Sequence, residues 1–465
     1  VFTTLQICII SLLVLLLALS NSQYCSVSLA ATIDSNKFSE EVRLDNEDCS
    51  GFLLRINGRN IVIARGSCLI GGKKISVTEP TELTIVPCAS LEIKAEEFSL
   101  VTKSEDHPIY TRMPLACLAG KGTGPLPQRV VPGTLKMFRV KDGQPGEQYT
   151  EGVDYSVDPR WSSIERKESG SAAENEKVLL QYSVYRRRVD AIVLTGKGSI
   201  ELIAGALTQF GPSPPKVPGQ SVLLANVLAE SLDQKLSASS IMAVYRVQKY
   251  PNPEFAELNT EALARTKKKL EVGSSVKIAF CGDSVTHGSY SSCGQASFPS
   301  VFLDKLTKKF PRSTVQYLNF SQGGASSTTM FPIFYDKILP QHPDLIIVEF
   351  VNDIALDRQT VLNSYTTFFE GARAAGAEVI VCLPHLPAPS YYGVKGWSAV
   401  AGKPYFSIIK KLAAEHKVGL ADIAARWETA AREGIDPMLL LADELNHPND
   451  RGHEIYAEEL IRCFD

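Results

Sequence analysis

The stretch KIAFCGDSVTHG, Lys277–Gly288, decides how the rest of the chain is read. Its first residues are apolar and β-prone, and the run stops abruptly on a Gly-Asp-Ser turn, as a buried strand would. Two readings of Ser284 stand open. It caps a helix that follows the strand. Or it is a nucleophile held at the carboxyl edge of a parallel sheet, where open α/β folds place their chemistry.

Working outward, strand-like and helix-like runs alternate on both sides of this stretch. NTEALARTKKKLE has helical composition and is ended by Gly273. After VKIAFC a helix is expected around Phe298–Lys309, followed by the strand VQYLNF. DLIIVEF leads to a helix near Thr360–Ala375, EVIVCL to one near Pro404–His416, and VGLADI precedes a closing helix in GHEIYAEELIRC. Such alternation predicts a parallel sheet covered on both faces. About 200 residues suffice for one such domain.

The preceding half is of another kind. From about residue 32 to 250, short β-branched runs such as NIVIARG, ELTIVPC, KVLLQYSVY and DAIVLTG recur between Gly, Pro, Asn and Asp turns. The expected organisation is a signal segment at 1–30 and a β-rich, sandwich-like accessory region at 31–209. A Pro/Gly-rich stretch near Lys121–Gly133 would divide that region into two modules. A linker with connecting strands is expected at 210–255, opening on FGPSPPKVPGQ, and the α/β domain at 256–465.

The chain has 465 residues and a formal net charge of −3, which gives no basic field suited to nucleic acid. Arg186-Arg187-Arg188 and Lys267-Lys268-Lys269 are short enough to be solvated faces. Ile7–Leu19 is almost wholly apolar and is followed by small residues, with Ser28-Leu29-Ala30 the best cleavage site, so export is expected. The run is shorter than the ~20 residues a spanning helix needs; a retained membrane anchor is the alternative. With Cys8 and Cys25 removed by cleavage, Cys49, Cys68, Cys88 and Cys117 remain in one half, and Cys281, Cys293, Cys382 and Cys463 in the other. Even counts suit disulfides in an oxidising compartment, although Cys281 and Cys382 within apolar strands read equally as buried thiols. No zinc-type spacing is present, and neither a metal nor a cofactor is expected.

In the α/β half the polar residues fall at strand ends: Asp283 and Ser284, then Asn319, Gly323 and Gly324, then Asn352 and Asp353. His447 and His453 lie before and within the last helix. Singly each has a structural use, as cap, turn or loop residue. Together they make an inventory for acyl transfer, with nucleophile, base, orienting acid and oxyanion donors.

These residues also carry a resemblance. GDSVTHG, NFSQGGASSTT, VEFVNDIA and DELNHPNDRGH, in that order, resemble the four motifs of the SGNH (GDSL-type) hydrolase family over about residues 274–465. The resemblance implies a three-layer α/β/α, flavodoxin-like domain and serine-dependent ester hydrolysis. It makes Ser284 the nucleophile and His447 the base, with the Ser284 and Gly324 N–H groups and the Asn352 amide as oxyanion donors. His453 would then be structural, and His287, three residues along the same turn, drops out.

Two departures stand out. Phe350 occupies the place of a common family glycine, where a larger side chain is expected to narrow the pocket. The family acid commonly lies three residues before the histidine; here that residue is Glu444, with Asp443 one further. Asp443 is preferred, because a loop can absorb one residue, and Glu444 stays open. The expected substrate is a short-chain, acetyl-type ester on an extracellular polysaccharide. An O-acyltransferase using the same site, or a non-catalytic carbohydrate-binding surface protein, are the alternatives. The loop Leu383–Trp397 is chosen as a substrate wall, with ordinary loop packing an equal alternative. The sequon Asn319-Phe320-Ser321 is expected to be unglycosylated, because it falls within an oxyanion motif.

Overall fold

A computed structural model describes residues 40–46, 48–100, 113–114, 130–158, 163–208, 211–230, 235–244, 255–291 and 293–465. The expected signal segment, Cys117 and most of the Lys121–Gly133 stretch lie outside these residues. Among the described residues no helix is long and apolar enough to cross a membrane.

The C-terminal half is built on five parallel strands: β1 (Val276–Gly282), β2 (Val315–Asn319), β3 (Leu345–Glu349), β4 (Glu378–Leu383) and β5 (Gly419–Asp422). Their order across the sheet is β2-β1-β3-β4-β5. Every residue of the inner strand β3 is buried, as expected with helices on both faces, and the edge strand β5 is buried as well. Two helices, α1 (Ala256–Ala262) and α2 (Ala264–Glu271), lead in and end at Gly273, whose φ of +81° suits glycine. A short α3 (Ser284–His287) follows β1. The longer helices are α4 (Phe298–Lys309), α5 (Arg358–Ala374), α6 (Pro404–His416), α7 (Ile423–Arg432) and α8 (Asp450–Arg462). Helices α4 and α8 pack together, as do α5 and α6, completing the α/β/α sandwich. Helix α7 was not expected. It starts directly on β5, with Asp422 ending the strand and capping the helix through Ala425 N–H at 3.0 Å.

The N-terminal half is antiparallel and holds two separate apolar cores. One joins Leu54, Ile61 and Ile63 with Ile192, Leu194, Leu224 and Val227. The other joins Ile93, Met137, Tyr155, Leu180 and Val184. On these cores we propose one β module from segments 40–88 and 188–243, with a second, 91–184, inserted into it. Val130, near the end of the Lys121–Gly133 stretch, belongs to the second core. The stretch expected as a linker with connecting strands contributes Ser221–Ala229, an inner strand between Arg188–Thr195 and Ile241–Ala243.

Cys49 and Cys68 face one another across paired strands and form a disulfide. The wider disulfide expectation does not hold for Cys88, Cys281, Cys382 and Cys463, which are buried thiols. Cys281 and Cys382 point into the core from β1 and β4, and burial raises both above the usual thiol range. Cys281, Cys382 and Cys463 should therefore resist iodoacetamide in the native protein and react once it unfolds. Replacing Cys49 and Cys68 by alanine should cost about 3 kcal/mol, read by denaturant melts, because the bridge closes a loop of sequence separation 19.

Candidate active site

The Gly-Asp-Ser turn is close-packed. A Cβ on Gly282 would lie 2.0 Å from Thr286 Oγ1 and 2.6 Å from the Glu349 carbonyl, so only glycine fits. Asp283 caps α3 by accepting from Val285 N–H at 2.9 Å, and Gly288 ends the helix at φ +88°. Ser284 is therefore the first residue of α3, and the cap is Asp283.

Ser284 Oγ lies 2.9 Å from His447 Nε2, and His447 Nδ1 lies 2.6 Å from Asp443 Oδ2. Asp443 Oδ1 also accepts from Leu445, Asn446 and His447 N–H at 2.9, 3.0 and 3.0 Å. Burial alone would raise this carboxyl, but the bonds from His447 and the backbone outweigh it and hold it below the usual range. Glu444 turns away: its Oε1 meets Arg187 Nη1 at 2.8 Å. The bond from His447 Nδ1 fixes which imidazole nitrogen faces Ser284.

The Asn352 side chain donates one N–H to the Ala325 carbonyl at 2.8 Å, leaving its other. Gly324 sits in the same turn at φ +72°. Asp283 Oδ2 accepts Asn352 N–H at 3.2 Å, tying the end of β1 to the end of β3. Phe350 does not narrow the pocket. It is fully buried and packs on Phe368 with ring centroids 6.0 Å apart, so the side chain is core. His287 is exposed. His453 is buried, accepts Phe298 N–H at 3.3 Å, and burial pushes it down to about 4. Asn319 donates to the Thr286 carbonyl at 3.2 Å and accepts from Ser321 N–H at 3.0 Å, so its amide takes part in the turn.

Two features lay beyond the sequence reading. Tyr290 stacks on His447 at 4.5 Å between ring centroids, 23° from parallel, from a backbone φ of +68°. That conformation is uncommon for a bulky residue and marks a local constraint, which nothing in the residue order announces. The second is a set of buried acids beneath the site. Thr286 Oγ1 donates to Glu349 Oε2 at 2.7 Å, and Tyr456 OH lies 3.4 Å from Oε1 and 2.8 Å from His385 Nδ1. Burial pushes Asp283 up to about 7 and Glu349 well above the usual carboxyl range, and each raises the other's cost of ionising. The loop expected as a substrate wall runs beside these parts. Ala388 N–H donates to the Leu445 carbonyl at 2.6 Å, and Tyr392 OH reaches the Val351 carbonyl at 3.5 Å.

Residues 280–455 match the model of the GDSL-like lipase/acylhydrolase family. The chain has no significant match among curated proteins. Among solved structures it is similar to a two-domain esterase active on acetylated mannans, at 21% identity and TM-score 0.38, over 44% of this chain and 53% of that one. The match thus spans about half the length of that esterase. It is also similar to an acetylxylan esterase from Geobacillus stearothermophilus, at 17% identity and TM-score 0.35, over 42% of this chain and 96% of that one. A further acetyl xylan esterase is 18% identical at TM-score 0.34, over 40% and 98%.

The raised Glu349 carboxyl has a measurable consequence. Because its folded value is raised, its contribution to stability is complete at low pH and fades as pH rises. Glu349→Gln keeps an acceptor for Thr286 and carries no such dependence. The difference in melting temperature between variant and wild type should shift in the variant's favour from pH 5 to pH 8. A constant difference would mean that Glu349 is ionised throughout.

Proposed function

The C-terminal domain belongs, over residues 280–455, to the GDSL-like lipase/acylhydrolase family of ester hydrolases, and from that premise we propose that the protein is an exported serine esterase. It removes short acyl groups, acetyl first, from carbohydrate hydroxyls. The observation that carries this reading is the relay from Ser284 Oγ through both nitrogens of His447 to Asp443, at 2.9 and 2.6 Å.

In the proposed reaction His447 Nε2 takes the Ser284 proton as Oγ attacks the ester carbonyl. Asp443 holds the Nδ1 proton and stabilises the imidazolium that forms. The carbonyl oxygen, now negative, is met by the N–H groups of Ser284 and Gly324 and by the Asn352 amide. Losing one such donor costs about 10²–10³ in turnover. The tetrahedral intermediate collapses, the C–O bond to the alcohol breaks, and His447 returns the proton to the leaving oxygen. Water, deprotonated by His447, then releases the acid from the serine ester.

A short acyl group is supported by crowding. Ser284 is only 9% exposed, and Tyr290 covers one face of His447. A carbohydrate alcohol is supported by Tyr391, 46% exposed on the loop beside Asn352 and His447, whose ring offers a flat apolar face. Export is supported by the Cys49–Cys68 disulfide together with the apolar stretch Ile7–Leu19.

The test is an ester series on the full chain. Aryl acetate should be cleaved faster than aryl butyrate or octanoate, and acetyl-xylan should release acetate. Ser284→Ala should lose at least ~10³-fold and Asn352→Ala ~10²–10³-fold. Equal activity in wild type and Ser284→Ala would refute the mechanism. Alcohol release in excess of acid release, with added sugar, would point to acyl transfer.

A further inference from the structure

The segment from Gly434 to Asn449 carries both Asp443 and His447, and the β-rich half grips it at successive points. Asn226 Nδ2 donates to the Gly434 carbonyl at 2.8 Å, and Asp436 N–H donates to Met242 Sδ at 3.2 Å. Val189, Met242 and Leu439 form a small buried cluster of their own. Gly211 lies so close that a Cβ there would sit 1.7 Å from Asn449 Nδ2 and 2.6 Å from the Leu439 carbonyl.

A fifth contact touches the acid's own turn. Arg187 Nε meets Glu230 Oε1 at 2.6 Å and its Nη1 meets Glu444 Oε1 at 2.8 Å, with all three side chains about four-fifths covered. Glu444 holds φ +56°, a conformation an L side chain adopts only when its surroundings impose it. Directly before it, Asp443 Oδ1 collects the three N–H groups of residues 445–447. The left-handed residue thus separates two carboxylates with opposite destinations, one under His447 and one on the β-rich half.

We infer that Arg187 is a positioning residue for the esterase reaction: through Glu444 it fixes the turn from which Asp443 orients His447. The β-rich half is then part of the catalytic unit rather than a tethered binding module. Restraint of this kind acts on kcat, because it sets the imidazole's aim and not the room for substrate.

This inference rests on the Ser284 reading, and one experiment separates the two. Full-length wild type, Arg187→Met, Glu444→Ala, the double variant and Arg187→Lys are assayed on aryl acetate. Rates are normalised to serine titrated by a fluorophosphonate, so misfolded protein does not count. Failure of the wild type to label would overturn the Ser284 reading itself. With labelling intact, each single variant should lose about tenfold in kcat at unchanged KM, and the double variant should lose no more than either. Arg187→Lys, which keeps the charge, should recover most of the rate. Wild-type kcat in both single variants, losses confined to KM, or a double variant near the product of the two would overturn the positioning role.

Discussion

One buried carboxylate holds the site together. Asp283 accepts Val285 N–H with one oxygen and Asn352 N–H with the other, at 2.9 and 3.2 Å, and is itself fully buried. The first bond orients the turn that presents Ser284; the second fixes the turn that presents the Asn352 amide. Ser284 and Asn352, the proposed nucleophile and oxyanion donor, are therefore spaced by a single rigid group. This bridge is possible only because β1 and β3 are neighbours while the chain leaves β1 toward β2 on the other side. At such a switch point the two loops diverge and leave a crevice above the strand ends.

Holding that geometry costs stability locally. Three carboxyls, Asp283, Glu349 and Asp353, are buried under the crevice, and burial raises all of them. A buried acid is tolerated when it is neutral or fully hydrogen-bonded. Glu349 is bonded through Thr286, and through Tyr456 the chain reaches His385, which burial pushes down to about 3. Glu349, raised well above the usual carboxyl range, and His385, held down by the same burial, make a low-charge floor beneath Ser284 and His447. The strain is nearby too: Tyr290 and Glu444, the left-handed non-glycine residues in the turns about His447, flank it on different segments.

Much of the α/β half was legible because its signals are local. Helices Phe298–Lys309 and Pro404–His416 fall where the periodicity put them, and the strands follow their apolar runs. Helix Ile423–Arg432 was missed because no turn separates it from β5. The β-rich half was harder for a different reason. Its first core closes Leu54 and Ile63 on Ile192 and Leu224, more than a hundred residues away, and no window of sequence contains both sides. Motif order put Ser284 and Asn352 after strands and His447 before the last helix, where the structure has them, and spacing left Glu444 open beside the preferred Asp443. The distinction lies in one backbone angle, and a residue with φ +56° leaves no mark on composition. Phe350 was misjudged for a similar reason: a large residue in a pocket motif reads as an obstruction until its packing on Phe368 places it in the core.

The boundaries of likeness and of mechanical support do not coincide. The family match begins at residue 280, yet the segment holding Asp443 and His447 is packed by residues 187–242, all of which precede it. A loop that supplies the base of a relay must be held to within a fraction of an ångström. In this chain the sheet anchors Ser284 and Asn352 from below, but Leu439 and Glu444 face the β modules. Removing those modules would expose Leu439, take Arg187 from Glu444 and free the left-handed turn to relax. The acid would then lose the geometry that gathers three N–H groups on one oxygen, although every residue of the family motifs would still be present. Under the proposed mechanism, catalytic competence is a property of the interface as well as of the motif.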